Sequence, residues 1–195
     1  MKYRIALLFF LFPIFSLAAP QVDMLARYVE QLSEVKTLTS DFVEEKHLSL
    51  LTQPIQSHGT LAFDKGAQKL RWQYQKPFVN GFIIEGPRVY RLQDGQKKPV
   101  QNAMGRVMAS QMLVWLTLDF ENLQKNYDMV LGNHQIIFTP KMQSHKVIKQ
   151  ITVWFDEKDL RVVRQVKMEE PSGDFILWKF SNTQLNPPLS DEVFP

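Results

Sequence analysis

The sequence predicts an α+β fold in which one large antiparallel sheet carries an N-terminal helix and a central helical segment. Apolar residues recur with helical spacing before Val35 and with a period of two after it, which indicates a helix followed by strands. A second helical pattern, at residues 102–127, interrupts the strands. Because no repeat or linker divides the chain, we expect a single domain.

The first residues have the pattern of a cleavable secretory signal peptide. Lys2 and Arg4 provide a positively charged start, an almost wholly apolar run follows, and residues 16–18 offer the small side chains that a signal peptidase reads. The apolar run is shorter than the roughly 20 residues that span a bilayer, which argues against a membrane anchor. We therefore expect residues 1–18 to be removed and residues 19–195 to form one soluble domain outside the cytoplasm.

Composition restricts the classes of function. Without Lys2 and Arg4, the remaining 21 basic and 20 acidic residues nearly cancel, so electrostatic binding of nucleic acid is not expected. The chain has no Cys, which excludes disulfides, thiol chemistry and cysteine metal sites. An exported domain of this composition depends on its hydrophobic core for stability.

Residues 20–33 predict the N-terminal helix, because four apolar side chains recur there on one helical face. Strands are predicted wherever apolar residues alternate between turn residues, with turns at 85–88 and 171–174. The predicted strand segments are 38–43, 59–63, 70–74, 82–84, 89–92, 129–131, 134–139, 146–155, 160–168 and 175–185.

The central segment carries a stripe of methionines. Met104, Met108, Met112 and Trp115 follow the spacing i, i+4, i+8 and i+11, which places them on one face of a helix. A second short helix is predicted after Asp119.

No motif for nucleophilic catalysis, phosphate binding or dinucleotide binding is present in the sequence. The four histidines lack metal-ligand spacing and are interpreted as solvated or edge residues; they are His47, His58, His134 and His145. The adjacent pairs Glu44-Glu45 and Glu169-Glu170 send neighbouring side chains to opposite faces of a strand, so they are interpreted as charged surface. We therefore expect no enzyme activity, no metal and no cofactor.

Aromatic and Met side chains dominate the apolar residues of the predicted strands and of the central helix. One interpretation is an ordinary core between a sheet and helices. The other is a cavity between a curved sheet and a helical lid, in which aromatic rings form rigid walls and flexible thioethers adapt to a ligand.

Short segments spread along the chain carry a resemblance to a known family. They are Leu32–Phe42, Gly59–Phe63, Leu70–Tyr74 with Pro77-Phe78, Gly86–Tyr90, Ile148–Asp156 and Leu160–Met168. In order and spacing they resemble the periplasmic outer-membrane lipoprotein carrier proteins, the LolA family and its LolA-like relatives. The resemblance covers nearly the whole chain after the leader.

The resemblance implies an unclosed antiparallel β-barrel with helices that act as a lid over an apolar cavity. It also implies a monomeric periplasmic carrier that receives a lipoprotein or other lipid-linked cargo from an inner-membrane transporter and passes it to an outer-membrane acceptor. The candidate lipid-binding residues are Phe42, Leu61, Phe63, Trp72, Tyr74, Phe82, Met104, Met108, Met112 and Trp115.

Two departures from the family pattern favour a LolA-like paralogue with another cargo, such as a glycolipid or a polyene lipid. The lipoprotein carriers have Arg-Pro after the Gly-x-Leu strand, and this Arg fastens the lid, whereas Lys65-Gly66 stands at that place here. Lys lacks the planar, multidentate hydrogen bonding of Arg, and Lys65 becomes the candidate lid contact. The chain also ends at Pro195, without the further C-terminal segment of the lipoprotein carriers.

Two alternatives stay open. A regulator similar to the RseB-type stress sensors would share the fold and bind partners instead of shuttling cargo. An exported hydrolase with dispersed active-site residues would depend on one of the four histidines.

Overall fold

The computed structural model describes residues 19–93, 96–101, 118–141 and 147–194. Helix α1 covers Ala19–Ser33, helix α2 covers Phe120–Asn126, and a 3-10 turn covers Asp191–Val193. The strands are β1 Thr37–His47, β2 Ile55–Asp64, β3 Lys69–Lys76, β4 Asn80–Glu85, β5 Arg88–Gln93, β6 Gln96–Pro99, β7 Tyr127–Leu131, β8 Gln135–Pro140, β9 Gln150–Phe155, β10 Val163–Glu169 and β11 Phe175–Leu185. None of the helices in these ranges combines the length and the hydropathy that a bilayer crossing needs.

The strands form one antiparallel sheet in the order β6-β5-β4-β3-β2-β1-β11-β10-β9-β8-β7. Two meanders, β1–β6 and β7–β11, are joined where β1 pairs with β11. The strands at the two edges, β6 and β7, do not pair with each other, so the described sheet is not closed. The predicted α+β fold with an unclosed antiparallel sheet is confirmed.

The strand register places one set of apolar residues on a single face of β1, β11, β10 and β9. Phe42 lies opposite Phe180, which is two residues from Trp178 on the same face of β11. Trp178 lies opposite Val166 on β10, and Val166 lies opposite Val153 on β9. We call this face, which also receives α1, the inner face.

Helix α1 covers the half of the inner face that belongs to the second meander. Tyr28 is fully buried there, its ring packs 4.9 Å from that of Phe155, and its hydroxyl donates a hydrogen bond to the Gly132 carbonyl at 2.9 Å. Phe120 and Leu123 of α2 belong to the same core cluster. The half of the inner face formed by β1–β5 has separate buried clusters of its own.

The two predicted helices at residues 20–33 and after Asp119 are confirmed. Asp119 caps α2, because its carboxylate accepts a hydrogen bond from the backbone N–H of Asn122 at 3.2 Å. The predicted signal peptide, residues 1–18, and the methionine stripe, residues 104–115, lie outside the described residues.

Some strand boundaries differ from the prediction. Strand β6 was not predicted, since Gln96–Pro99 has no alternation of apolar residues. Strand β10 begins at Val163 instead of residue 160, because the Asp156 carboxylate accepts hydrogen bonds from the backbone N–H groups of Lys158 and Asp159 and holds this segment in a turn.

A side chain at Gly59 should destabilise the protein. Gly59 lies opposite Phe42, and a Cβ at position 59 would meet Phe42 Cζ at 2.5 Å and come closer still to the Gln73 carbonyl oxygen. We expect Gly59→Ala to lower the free energy of unfolding by about 1–3 kcal/mol, as overpacking usually does, in urea unfolding followed by fluorescence.

Gly66→Ala is the matched control for this substitution. The closest non-neighbouring atom to its added Cβ would be Asp64 Oδ1 at 3.5 Å, an ordinary contact, so we expect a change within about 0.5 kcal/mol. Equal stability of Gly59→Ala and the wild type would contradict the tight packing of Phe42 over Gly59.

Candidate functional site

A layer of aromatic side chains lies on the inner face of β1–β4 and β11. Phe42 and Trp72 pack with their ring centroids 4.3 Å apart, and Tyr74 meets Phe42 edge-on at 5.3 Å. Trp72 stacks parallel to Phe82 and meets Phe180 edge-on, each at 6.3 Å. We call this layer, together with Leu61, which packs within it, the aromatic floor. Its members are Phe42, Leu61, Trp72, Tyr74, Phe82, Trp178 and Phe180.

The register of the strands explains why these side chains meet. Leu61 lies opposite Trp72, and Trp72 lies opposite Phe82, so these three form a row across β2, β3 and β4. Directly opposed residues on one face have Cβ atoms about 5 Å apart, close enough for the rings to pack. Phe42, Leu61 and Trp72 are buried, and therefore a ligand reaches the centre of the floor only when the groups covering it move aside.

A buried carboxylate stands at the border of the aromatic floor. The Glu44 side chain is 3% exposed, and its Oε2 accepts hydrogen bonds from the Tyr74 hydroxyl at 2.7 Å and from Trp178 Nε1 at 2.8 Å. The Lys46 ammonium lies 3.3 Å from Oε1. These charge-assisted contacts compensate the cost of removing a carboxylate from water.

The interpretation of Glu44 as solvated surface is therefore wrong, whereas its neighbour Glu45 points to the other face and pairs with Lys179 at 2.8 Å. A sequence signal existed, because Glu44 is two residues from Phe42 and so shares its face. Trp178 and Phe180 of the floor were also missed, since only the β1–β11 register brings them beside β1.

The indole N–H of Trp72 is a buried donor. Within the described residues no acceptor meets it in hydrogen-bonding geometry, although it lies near enough to the Tyr74 hydroxyl to lower the pKa of that group. Leaving such a donor unpaired in a protein interior is costly. The floor therefore offers one unused polar contact beside the Glu44 carboxylate.

A cleft of about 770 Å³ opens between α1, the β2–β3 turn and α2. This volume lies within the range typical of ligand pockets. Its described lining residues are Leu25, Val29, Leu32 and Ser33 of α1, Phe63, Lys65 and Gln68 at the β2–β3 turn, and Leu118, Asp119, Phe120, Glu121 and Gln124 at α2. Apolar α1 side chains line one side of the cleft, and polar side chains from the turn and α2 also line it.

Phe63 links the cleft to the sheet. It lines the cleft and also belongs to a buried cluster with Leu70, Ile84 and Val89, against which Phe82 of the aromatic floor packs. The cleft and the floor are therefore neighbours, separated by the packed side chains of this cluster.

The structure brings together six of the ten predicted lipid-binding residues. Phe42, Leu61, Trp72, Tyr74 and Phe82 lie in the aromatic floor, and Phe63 lines the cleft. Met104, Met108, Met112 and Trp115 lie outside the described residues. That these residues bind lipid stays a prediction.

Lys65 is exposed at the cleft entrance. Its backbone N–H donates to the Lys36 carbonyl at 2.8 Å, and in the described part of the chain its ammonium forms no hydrogen bond or ion pair with α1 or α2. The predicted contact between Lys65 and a lid stays a prediction. Among the described residues, no group of three or more His, Asp and Glu side chains is placed to hold a metal ion.

An open antiparallel sheet with a helix-lined cleft and an aromatic floor defines a class of protein built to enclose an apolar ligand. The chain belongs to the outer membrane lipoprotein carrier protein LolA family, whose model matches residues 33–195. No curated protein matches the sequence at a significant level.

Solved structures share the fold at low sequence identity. MucB superposes with a TM-score of 0.57 at 14% identity, over 91% of this chain and 63% of MucB. The Pseudomonas aeruginosa MucA/MucB complex gives 0.54 at 16% identity, over 91% of this chain and 61% of the other. The Mycobacterium tuberculosis lipoprotein LppX gives 0.51 at 9% identity, over 89% of this chain and 99% of LppX. The chain thus spans about three fifths of the MucB chains.

Removing the Tyr74 hydroxyl should destabilise the protein, because it takes away a donor to the buried Glu44 carboxylate. We expect Tyr74→Phe to lower the free energy of unfolding by about 1–3 kcal/mol in urea. Tyr90→Phe is the matched control: the Tyr90 ring packs under the Lys97 ammonium, and in the described part of the chain its hydroxyl makes no hydrogen bond. Equal losses in the two variants would contradict a specific role of the Glu44 contact.

Stability should fall at alkaline pH. Burial raises the pKa of Tyr28 to about 12, burial and then the Glu44 charge raise the pKa of Tyr74, and burial raises the pKa of Tyr127. Since unfolded Tyr ionises near pH 10, these groups stabilise the fold fully below that pH, and the stabilisation is lost as the pH rises above about 10.

The measurement is the urea midpoint at a series of pH values from about 8 to about 11, with Tyr74→Phe giving a shallower alkaline decline than the wild type. A wild-type midpoint that stays constant through this range would refute the assignment of raised tyrosine pKa values.

Proposed function

We propose that this protein is a periplasmic carrier that binds the acyl or other apolar part of a lipoprotein or lipid-like cargo and moves it from the inner to the outer membrane. The observation that carries this proposal is the cleft of about 770 Å³ beside the aromatic floor, in a chain of the LolA family. The export of residues 19–195 after removal of residues 1–18 belongs to the same proposal, as do a monomeric state, a donor transporter in the inner membrane and an acceptor at the outer membrane.

The energy of an acyl chain sets the requirement for such a carrier. Each CH₂ removed from water is worth about 0.8 kcal/mol, so a 16-carbon chain carries roughly 12 kcal/mol and crosses an aqueous compartment very slowly alone. The carrier must replace most of this energy and still release the cargo. Two states of a helical lid that differ by a few kcal/mol meet both demands, because opening exposes the buried floor.

The polar groups of the floor favour a cargo with a neutral oxygen near its apolar chain. The Trp72 N–H, which meets no acceptor in the described ranges, can donate to an ester or amide oxygen. The Glu44 carboxylate, already supplied with donors by Tyr74 and Trp178, disfavours a second anion at this position. An ester or amide oxygen occurs in lipoproteins and in other lipids alike. Lys65 in place of the family's Arg is the feature that supports a lipid-linked cargo other than a lipoprotein, such as a glycolipid or a polyene lipid.

A second candidate function is the sensing of lipid or lipoprotein by a regulator similar to RseB. The superposition on MucB, alone and in its complex with MucA, favours it. A sensor keeps its ligand and changes its affinity for a protein partner, whereas a carrier hands the ligand to an acceptor membrane.

Filling the cleft should weaken lipid binding. Val29 lines the cleft from α1 and is 46% exposed, so a Trp at this position occupies cleft volume without disturbing the buried core. We expect Val29→Trp to bind a fluorescent fatty acid at least about tenfold more weakly than the wild type, a loss of about 1.4 kcal/mol. Titration of the purified protein, followed by fluorescence, measures this affinity.

Val130→Trp is the matched control, because Val130 is 57% exposed on β7 and does not line the cleft. It should bind the fatty acid as the wild type does. Absence of uptake by the wild type, together with absence of lipid in native mass spectrometry of protein purified from its own periplasm, would refute lipid binding. Uptake without any transfer to acceptor vesicles would favour the sensor over the carrier.

A further inference from the structure

Two neighbouring loops at one end of the sheet carry large apolar side chains that face solvent. The loops connect β1 to β2 and β3 to β4, and they leave the same end of the sheet because β2 pairs with both β1 and β3. Adjacent hairpins in a sheet lie about 10 Å apart, twice the strand spacing. We call this surface the apolar tip; its members are Leu48, Leu50, Leu51, Ile55, Phe78 and Val79.

The side chains of the apolar tip are exposed to solvent and are not packed into the core. Leu50 is 94% exposed, Phe78 is 75% exposed and Val79 is 67% exposed. One exposed Leu needs no explanation, but five large apolar residues in two adjacent loops, together with Ile55 at the start of β2, form a patch of the kind that marks an interaction site.

Cations stand where the loops join the strands. The pairing of β1 with β2 ends at Lys46, opposite Ile55, where the Lys46 ammonium lies 3.3 Å from Glu44 Oε1. The exposed Lys76 ends β3 next to Pro77. The nearby Asp174 carboxylate accepts a hydrogen bond from the backbone N–H of Ser49 at 2.7 Å, and this bond lowers the pKa of Asp174. The carboxylate is therefore directed at the β1–β2 loop backbone. The apolar tip is thus bordered by ammonium groups.

We propose that the apolar tip docks the protein on a lipid bilayer by inserting into the interfacial region between anionic headgroups. Leu50 and Phe78 lie exposed on separate loops, and a fluid bilayer accepts such side chains without a preformed pocket. The exposed Lys76 is placed to pair with an anionic headgroup while the apolar side chains enter the acyl boundary, whereas Lys46 already pairs with Glu44. This surface lies on loops outside the cleft lining, so the inference goes beyond the proposed carriage of cargo.

Vesicle flotation tests the docking. Vesicles of phosphatidylethanolamine with phosphatidylglycerol should bind the wild-type protein, and vesicles of phosphatidylcholine alone should bind it more weakly, with the difference decreasing as salt is added. The double variant Leu50→Ser with Phe78→Ser should bind the anionic vesicles about tenfold more weakly or worse. Val130→Ser, which removes an exposed apolar side chain elsewhere, should bind as the wild type does.

Fatty-acid uptake separates this proposal from the proposed function. The double variant should keep the wild-type urea midpoint and the wild-type affinity for a fluorescent fatty acid, because its substitutions lie outside the cleft lining and the buried core. Vesicle binding without fatty-acid uptake would refute the carrier and leave the docking intact.

Three results would overturn the docking proposal. The first is a wild-type protein that binds neither kind of vesicle. The second is a double variant that floats with anionic vesicles as well as the wild type does. The third is a concentration-dependent dimer that the double variant abolishes, since it would identify the apolar tip as a contact between two copies of this chain.

Discussion

The pairing of β1 with β11 joins the two meanders into one sheet, and the rest of the structure depends on it. The register sets Phe42 opposite Phe180 and Glu44 opposite Trp178, so the aromatic floor extends across the junction. These partners are far apart in sequence, and the pairing must repay the entropy of closing a long loop. It also gives β1 and β11 a neighbour on both sides, which leaves only the two short strands β6 and β7 at the edges of the described sheet.

The same pairing makes a buried charge tolerable. Glu44 receives one donor from β3, through Tyr74, and one from β11, through Trp178, and both bonds end on the same carboxylate oxygen. Replacing such a buried polar group by a well-packed apolar one is often neutral or stabilising, so stability alone is a weak reason for its presence. A specific geometry of the rings around it is the better physical reason, since directional hydrogen bonds define one arrangement of Tyr74 and Trp178 where packing alone permits several.

The two halves of the inner face are used differently. Helix α1 and helix α2 fill the half formed by the second meander with an ordinary core around Tyr28 and Phe138. The half formed by β1–β5 carries the aromatic floor and adjoins the cleft. Because the packed core of β7–β11 stabilises the fold, the covering of the other half can open and close around a ligand without unfolding the protein. The apolar tip extends from β1–β4, the same strands that carry most of the aromatic floor. A membrane contact at the tip would therefore lie at the end of the surface formed by β1–β5.

The sequence by itself determined the α+β class, the two helices and most of the strands, because hydrophobic period and turn residues are local properties. Alternation also placed Phe42, Leu61 and Trp72 on one face of their strands. Only the tertiary structure decided that Trp178 and Phe180 complete that face, that Glu44 is buried among them, and that Gln96–Pro99 is a strand. The physical reason is that register between distant strands, and burial on a face that two elements share, depend on neighbours that no local pattern identifies.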